Sequence, residues 1–175
     1  MFLGDIVYVM VRLNPSDKDG LAELVRARFG EQYPKTYCDH LTLAYGKDQI
    51  EHLDLDSIIG RKVVLHGSAI CRDEKCVALT VEPSCVKDIG CNNEFPHITL
   101  ATDGRTPPVY SNELIHNVVN GTGGISEVAD VDVSGIVDVF RKPIPIRKTI
   151  ESIAEAMSKC YRKGERLDKA ISRQN

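Results

Sequence analysis

One pattern occurs twice in the 175-residue chain: His40-Leu41-Thr42-Leu43-Ala44 and His97-Ile98-Thr99-Leu100-Ala101. Imidazole has an unperturbed pKa of about 6.5, so it can take or give a proton near neutral pH. Threonine hydroxyls can donate hydrogen bonds to oxygens on which charge develops. Two imidazoles and two hydroxyls around one phosphorus suit phosphate-ester hydrolysis. One histidine would deprotonate water, the other would protonate the leaving oxygen, and the threonines would hold the non-bridging oxygens. Both proton transfers are then covered by side chains, so neither a metal nor a cofactor is expected. A single histidine on a strand is usually a satisfied core polar group. The matched repetition is what makes His40, Thr42, His97 and Thr99 the candidate catalytic residues.

The spacing requires strands. Side chains alternate between faces along a strand with period two. Each His and Thr would then face one side, with Leu41, Leu43, Ile98 and Leu100 on the other. Segments 39–45 and 95–102 read as these strands. Segment 5–13 is a further β-branched strand, ended by the turn residues Asn14-Pro15-Ser16-Asp17. A helix is expected over 18–29, ended by Gly30. Segment 49–59 reads as a short helix or loop, and 61–71 with 75–81 as a hairpin around Arg72-Asp73-Glu74. Segment 83–94 is loop-like. A helix is expected over 111–119, and a strand over 128–140 bent at Ser134-Gly135. The element order implies an α+β fold with mainly antiparallel sheet.

The chain is 42% hydrophobic and 27% charged, the balance of an ordinary globular protein. Its net charge of −3 argues against a protein that coats long nucleic acid, but not against one that grips a terminal phosphate. The six cysteines form no C-x-x-C and no zinc spacing, which suggests reduced thiols and an intracellular setting, cytoplasmic or nuclear. Neither a signal peptide nor a membrane-spanning helix is expected. A basic amphipathic helix is expected near the C-terminus, over 150–171. Residues 147–175 carry eight basic against four acidic side chains, a net +4 that leaves −7 for the remainder. That segment reads as a solvated helix end or a face for RNA or protein. The expected division is a catalytic domain over 1–146 and this helix over 147–175, within or appended to it, with no linker between independent domains.

The paired motifs resemble the signature of the two-histidine (2H) phosphoesterase superfamily, across most of residues 5–141. The run His40 to Gly46, and Pro96 to Thr102 followed by Pro108-Val109-Tyr110-Ser111-Asn112-Glu113-Leu114, resemble the cyclic phosphodiesterase domain of fungal-type tRNA ligases. The resemblance implies a bilobal fold with pseudo-twofold symmetry, in which each lobe supplies one motif strand to a central cleft and helices lie outside. It implies hydrolysis of 2′,3′-cyclic phosphates at RNA or nucleotide ends to a 2′-phosphate, in RNA repair or tRNA splicing. It also implies His97 as general base and His40 as general acid. No ligase or kinase signature accompanies the motifs, and no G-x-x-x-x-G-K-[ST] occurs. A 2′,5′-oligonucleotide phosphodiesterase and a non-catalytic nucleotide-binding module of the same fold are the alternatives.

Other residues carry weaker signals. Tyr45 and Tyr110 are candidates to stack on a base, or to pack at the rim. Cys38 precedes His40 by two and would share its face, which raises a cysteine–histidine nucleophile as a remote option. Lys47, Arg72 and Arg105 are candidate phosphate contacts. His52, His66 and His116, and the carboxylates Asp54 and Asp56, read as surface or structural groups. Nothing in the sequence fixes an oligomeric state.

Overall fold

The structure is a computed structural model that describes residues 6–142 and Glu155. Strands are β1 (Ile6–Leu13), β2 (Lys35–Thr36), β3 (His40–Tyr45), β4 (Lys62–Arg72), β5 (Cys76–Val81), β6 (His97–Thr102) and β7 (Ile125–Arg141). Helices are α1 (Pro15–Phe29), α2 (Lys47–Ile50), α3 (Leu55–Ile58) and α4 (Ser111–Val119). The fold is α+β with an antiparallel sheet. The expected C-terminal helix and the boundary after residue 146 lie outside the described residues, except for Glu155, which is helical.

The sheet runs β2-β6-β3-β1-β7-β4-β5, and β5 pairs back onto β6. Six strands therefore close into a ring, β1-β3-β6-β5-β4-β7, with every pairing antiparallel. The two motif strands, β3 and β6, are neighbours in this ring, as the expected pseudo-twofold relation between them requires. The halves are not separate sheets, however, because the 17-residue β7 pairs with both β4 and β1.

Gly135 marks the crossover on β7, pairing with Leu13 on one side and Val63 on the other. A Cβ there would collide with the Arg12 carbonyl oxygen, so only glycine permits this approach. The core is built from the inward residues of these strands, among them Val9, Val11, Leu41, Leu65, Leu79, Ile98 and Leu100, with Leu21 and Val25 of α1. Burying such an aliphatic side chain contributes about 1.5–3 kcal/mol.

Helix α1 begins earlier than the turn residues suggest. Asn14 is its N-cap, and Pro15 takes the first helical position, where a missing N–H is harmless. Asn14 Nδ2 donates to Ser134 Oγ at 2.9 Å, while Ser134 donates through N and Oγ to Asp17 at 2.7 Å each. What reads as a turn is a clasp between α1 and β7. The ambiguous segment 49–59 holds the end of the short helix α2 and the whole of the short helix α3. Helix α4 covers its expected span.

Candidate active site

Strands β3 and β6 meet at a single register pair, Leu41 with Ile98. Both are fully buried and are the middle residues of the two motifs. An antiparallel pair centred there brings His40 alongside Thr99 and Thr42 alongside His97. The two motifs thus interleave, and each imidazole neighbours the other motif's hydroxyl. All four side chains line one cleft of about 680 Å³.

The motif repeats in backbone as well as in side chains. Along β3, Val9 pairs with Ala44 and Met10 with Thr42, so Leu43 is an extra residue. Along β6, Val77 pairs with Ala101 and Ala78 with Thr99, so Leu100 is extra. Each copy carries a bulge at the leucine that follows its threonine. The Leu43 carbonyl accepts from Asn92 N at 2.8 Å and the Leu100 carbonyl from Tyr37 N at 2.8 Å. A bulge re-aims the side chains after it. Simple alternation would turn Tyr45 away from His40 and Thr42, but the Leu43 bulge restores it to the cleft.

The two histidines differ in their surroundings. His97 is buried, and its Nδ1 lies 2.7 Å from the Phe95 carbonyl oxygen. A carbonyl can only accept, so Nδ1 carries the proton and Nε2 of the neutral ring keeps its lone pair. Burial pushes the His97 pKa below its usual value. The Phe95 hydrogen bond opposes this, and the charge of His40 adds to it. His40 is half-buried, with Nδ1 3.0 Å from Asp39 Oδ1. The hydrogen bond from His40 holds the Asp39 carboxyl below its usual range, so Asp39 faces the ring as a carboxylate. Tyr8 stacks on His40 from the other side, with ring centroids 5.3 Å apart and 23° between planes.

Thr99 is held from α4. Its Oγ1 lies 2.6 Å from Ser111 Oγ and 3.3 Å from the Pro108 carbonyl oxygen. Ser111 is fully buried, and its Oγ also lies 2.5 Å from the Pro108 carbonyl oxygen. Ser111 has one hydroxyl hydrogen. It can go to the Pro108 carbonyl or to Thr99 Oγ1, and given to Thr99 it leaves the single Thr99 hydrogen free to point into the cleft. No comparable contact to the Thr42 hydroxyl occurs among the described residues.

Tyr45 lines the cleft and is 65% exposed. Tyr110 is not among the lining residues. Its hydroxyl donates to Asp73 at 2.7 Å, its ring packs against a small core of Leu114 and Ile115, and Lys75 sits over its face. The stacking role expected of Tyr110 is therefore not available in this arrangement. Nor do Lys47, Arg72 or Arg105 line the cleft. Lys47 pairs with Glu51, and Arg72 pairs with Glu127 over the Phe29 ring. Cys38 is buried, donates to the Leu100 carbonyl at 3.3 Å, and has its thiol pushed up to about 12 by burial, which removes it as a nucleophile. Its φ of 55° also breaks the alternation that would have put it beside His40. His66 pairs with Asp132, while His52 and His116 are exposed. Among the described residues no group of three or more His, Cys, Asp or Glu side chains could hold a metal ion.

Sequence reasoning missed Tyr8, Tyr37, Gln49, Asn92, Asn93 and Asn112 in the lining, and Ser111 behind it. Asp39 was legible as the residue before His40, where the second motif has Pro96.

The fold and the interleaved histidine–threonine pairs define a two-histidine phosphoesterase. A family model, the fungal tRNA ligase phosphodiesterase domain, matches residues 26–139. The chain belongs to this family. No curated protein sequence matches it. Among solved structures, one described as the crystal structure of a fungal RNA kinase is similar at a TM-score of 0.57 and 13% identity. The match covers 81% of this chain and 47% of that one, so the chain spans about half of that relative's length. At this identity the likeness is one of fold.

Proposed function

We propose that this phosphodiesterase domain opens the 2′,3′-cyclic phosphate at the end of an RNA in tRNA splicing, leaving a 2′-phosphate and a free 3′-hydroxyl. The observation that carries the assignment of roles is the unlike second partner of each histidine. His97, neutral and with its proton fixed on Nδ1 by Phe95, offers Nε2 as the base that takes a proton from water. His40, backed by the Asp39 carboxylate, has a counter-ion for its imidazolium form and serves as the acid. The water oxygen bonds to phosphorus as the P–O3′ bond breaks, and His40 delivers its Nε2 proton to the departing 3′ oxygen. Thr42 and Thr99 donate to the two non-bridging oxygens as charge builds on them. The family supports the phosphodiester chemistry, and the substrate and product are our reading of the site.

The test uses a 2′,3′-cyclic mononucleotide and a 2′,5′-linked dinucleotide, each with and without EDTA. Turnover of the first to a 2′-phosphate, unchanged by EDTA, is expected. His40→Ala and His97→Ala should each lose about 10²–10⁴-fold in kcat. A 3′-phosphate product would overturn the assignment of the leaving oxygen. Preference for the 2′,5′ linkage, or binding without turnover, would overturn the substrate assignment.

A further inference from the structure

Three aromatic side chains stand in one row across three strands. Tyr8 on β1 is in register with Tyr45 on β3 and with Phe140 on β7. Their rings are near-parallel: Tyr8 and Phe140 have centroids 4.9 Å apart at 12°, Tyr8 and Tyr45 6.5 Å at 21°. Tyr8, the middle ring, also stacks on His40, so the row adjoins the catalytic histidine. The middle ring is half-buried, but the outer two are open: Tyr45 is 65% exposed and Phe140 42%. Tyr8 and Tyr45 line the cleft, while Phe140 lies one strand beyond it.

Packing alone does not account for this row. The inward core of β1 and β7 is already filled by Val9, Val11 and Val137 on the opposite face. Parallel rings with open terminal members suit flat partners with π-faces. On sheet surfaces such partners are nucleobases, stacked one per aromatic side chain. The cleft supplies a direction, because Tyr45 and Tyr8 line it beside His40, and a strand leaving on that side meets the row.

We infer that the row is a two-base platform. Tyr45 takes the base of the nucleotide that bears the cyclic phosphate, and Phe140 takes the base on its 5′ side. The substrate class is then an RNA strand end rather than a free cyclic mononucleotide. This inference rests on the cyclic-phosphate reading above.

The experiment compares kcat/KM for a trinucleotide ending in a 2′,3′-cyclic phosphate with that for the cyclic mononucleotide. The full chain should favour the trinucleotide by roughly tenfold, the value of one stacked base. Phe140→Ser should bring that ratio close to one, and Phe140→Trp should preserve it. Equal turnover of both substrates by the unaltered protein would overturn the platform. So would a preference that survives Phe140→Ser. If neither substrate is turned over, the catalytic reading fails by itself, and the platform is judged on equilibrium binding of the same two ligands. There a trinucleotide advantage lost in Phe140→Ser upholds it, and equal affinities overturn it.

Discussion

Replacing Ser111 by alanine separates positioning from packing at the active site. The hydroxyl lost is fully buried and has two close oxygen partners, the Pro108 carbonyl at 2.5 Å and Thr99 Oγ1 at 2.6 Å. At about 1 kcal/mol net for each bond, the variant should lose about 2 kcal/mol of stability, or about 4–8 °C in Tm. The effect on catalysis has a different origin. Thr99 loses the donor that turns its own hydrogen into the cleft and is left with one partner, the Pro108 carbonyl at 3.3 Å. That carbonyl then competes with the phosphate for the Thr99 hydrogen. Losing one oxyanion donor outright costs about 10²–10³ in kcat, so Thr99→Val should fall in that range. Ser111→Ala, which misdirects the donor without removing it, should cost about tenfold in kcat with KM little changed. The assay is a double-mutant cycle on the cyclic mononucleotide at a temperature where every variant is folded. If Ser111 acts through Thr99, adding Ser111→Ala to Thr99→Val costs almost nothing further. The same tenfold loss in both backgrounds, or an unchanged kcat in the single variant, would refute the reasoning.

Other outcomes rest on the same geometry. The acid limb of kcat/KM should lie below pH 6.5, because burial lowers the pKa of His97 and the base must be neutral. A limb above 6.5 would assign it to another group. The folded-state depression also makes stability fall as pH drops from 6.5 through the lowered His97 value, and His97→Gln should flatten that slope in pH-dependent unfolding. Asp39→Ala should reduce kcat by up to about 100-fold, since it frees the His40 ring to turn, while Tm changes little. Asp17→Asn should lower Tm at pH 7 by about 2–4 °C by weakening the clasp to Ser134. The Asp17 pKa is held below 3.8, first by the Ser134 backbone hydrogen bond, so the difference from the unaltered protein should shrink as pH falls through that lowered value. Gly135→Ala should cost about 3 kcal/mol by forcing a Cβ onto the Arg12 carbonyl, measured by denaturant titration.

Most of the strands and α4 were legible because their signals are local: β-branched runs, alternation, and turn residues between them. The catalytic pairs were legible because strand period two converts the His-x-Thr spacing into a shared face. The features that were not legible depend on partners far along the chain. Asn14-Pro15-Ser16-Asp17 has the composition of a turn as well as of a helix start, and its clasp to Ser134, more than a hundred residues away, leaves no local mark. Tyr110 sits in a run that marks the family, yet its hydroxyl is taken by Asp73. Tyr8 lies in an ordinary apolar strand, and its place against His40 depends on the β1–β3 register. The bulges at Leu43 and Leu100 leave no mark in the alternating pattern, although the repeated Leu-Ala after each threonine is where they fall.

Those bulges bear on how a near-symmetric pair of motifs does asymmetric chemistry. Hydrolysis needs one proton taken and one given, so two histidines in identical surroundings would compete for the same role. The local symmetry of β3 and β6 places the four groups around one point, and the residues that break it lie outside the shared pattern. Ahead of the first motif stands Asp39, whose carboxylate accepts from His40. Ahead of the second stands Pro96, whose fixed φ and missing N–H belong to the turn that brings the Phe95 carbonyl to His97 Nδ1. Exchanging these neighbours is therefore a sharper perturbation than removing either histidine. An Asp39→Asn, Pro96→Asp double variant keeps all four catalytic side chains but hands the carboxylate to His97. Raising His97 toward its imidazolium form should move the acid limb of kcat/KM to higher pH. A limb that stays in place would mean that burial alone, and not the second partner, sets the division of roles.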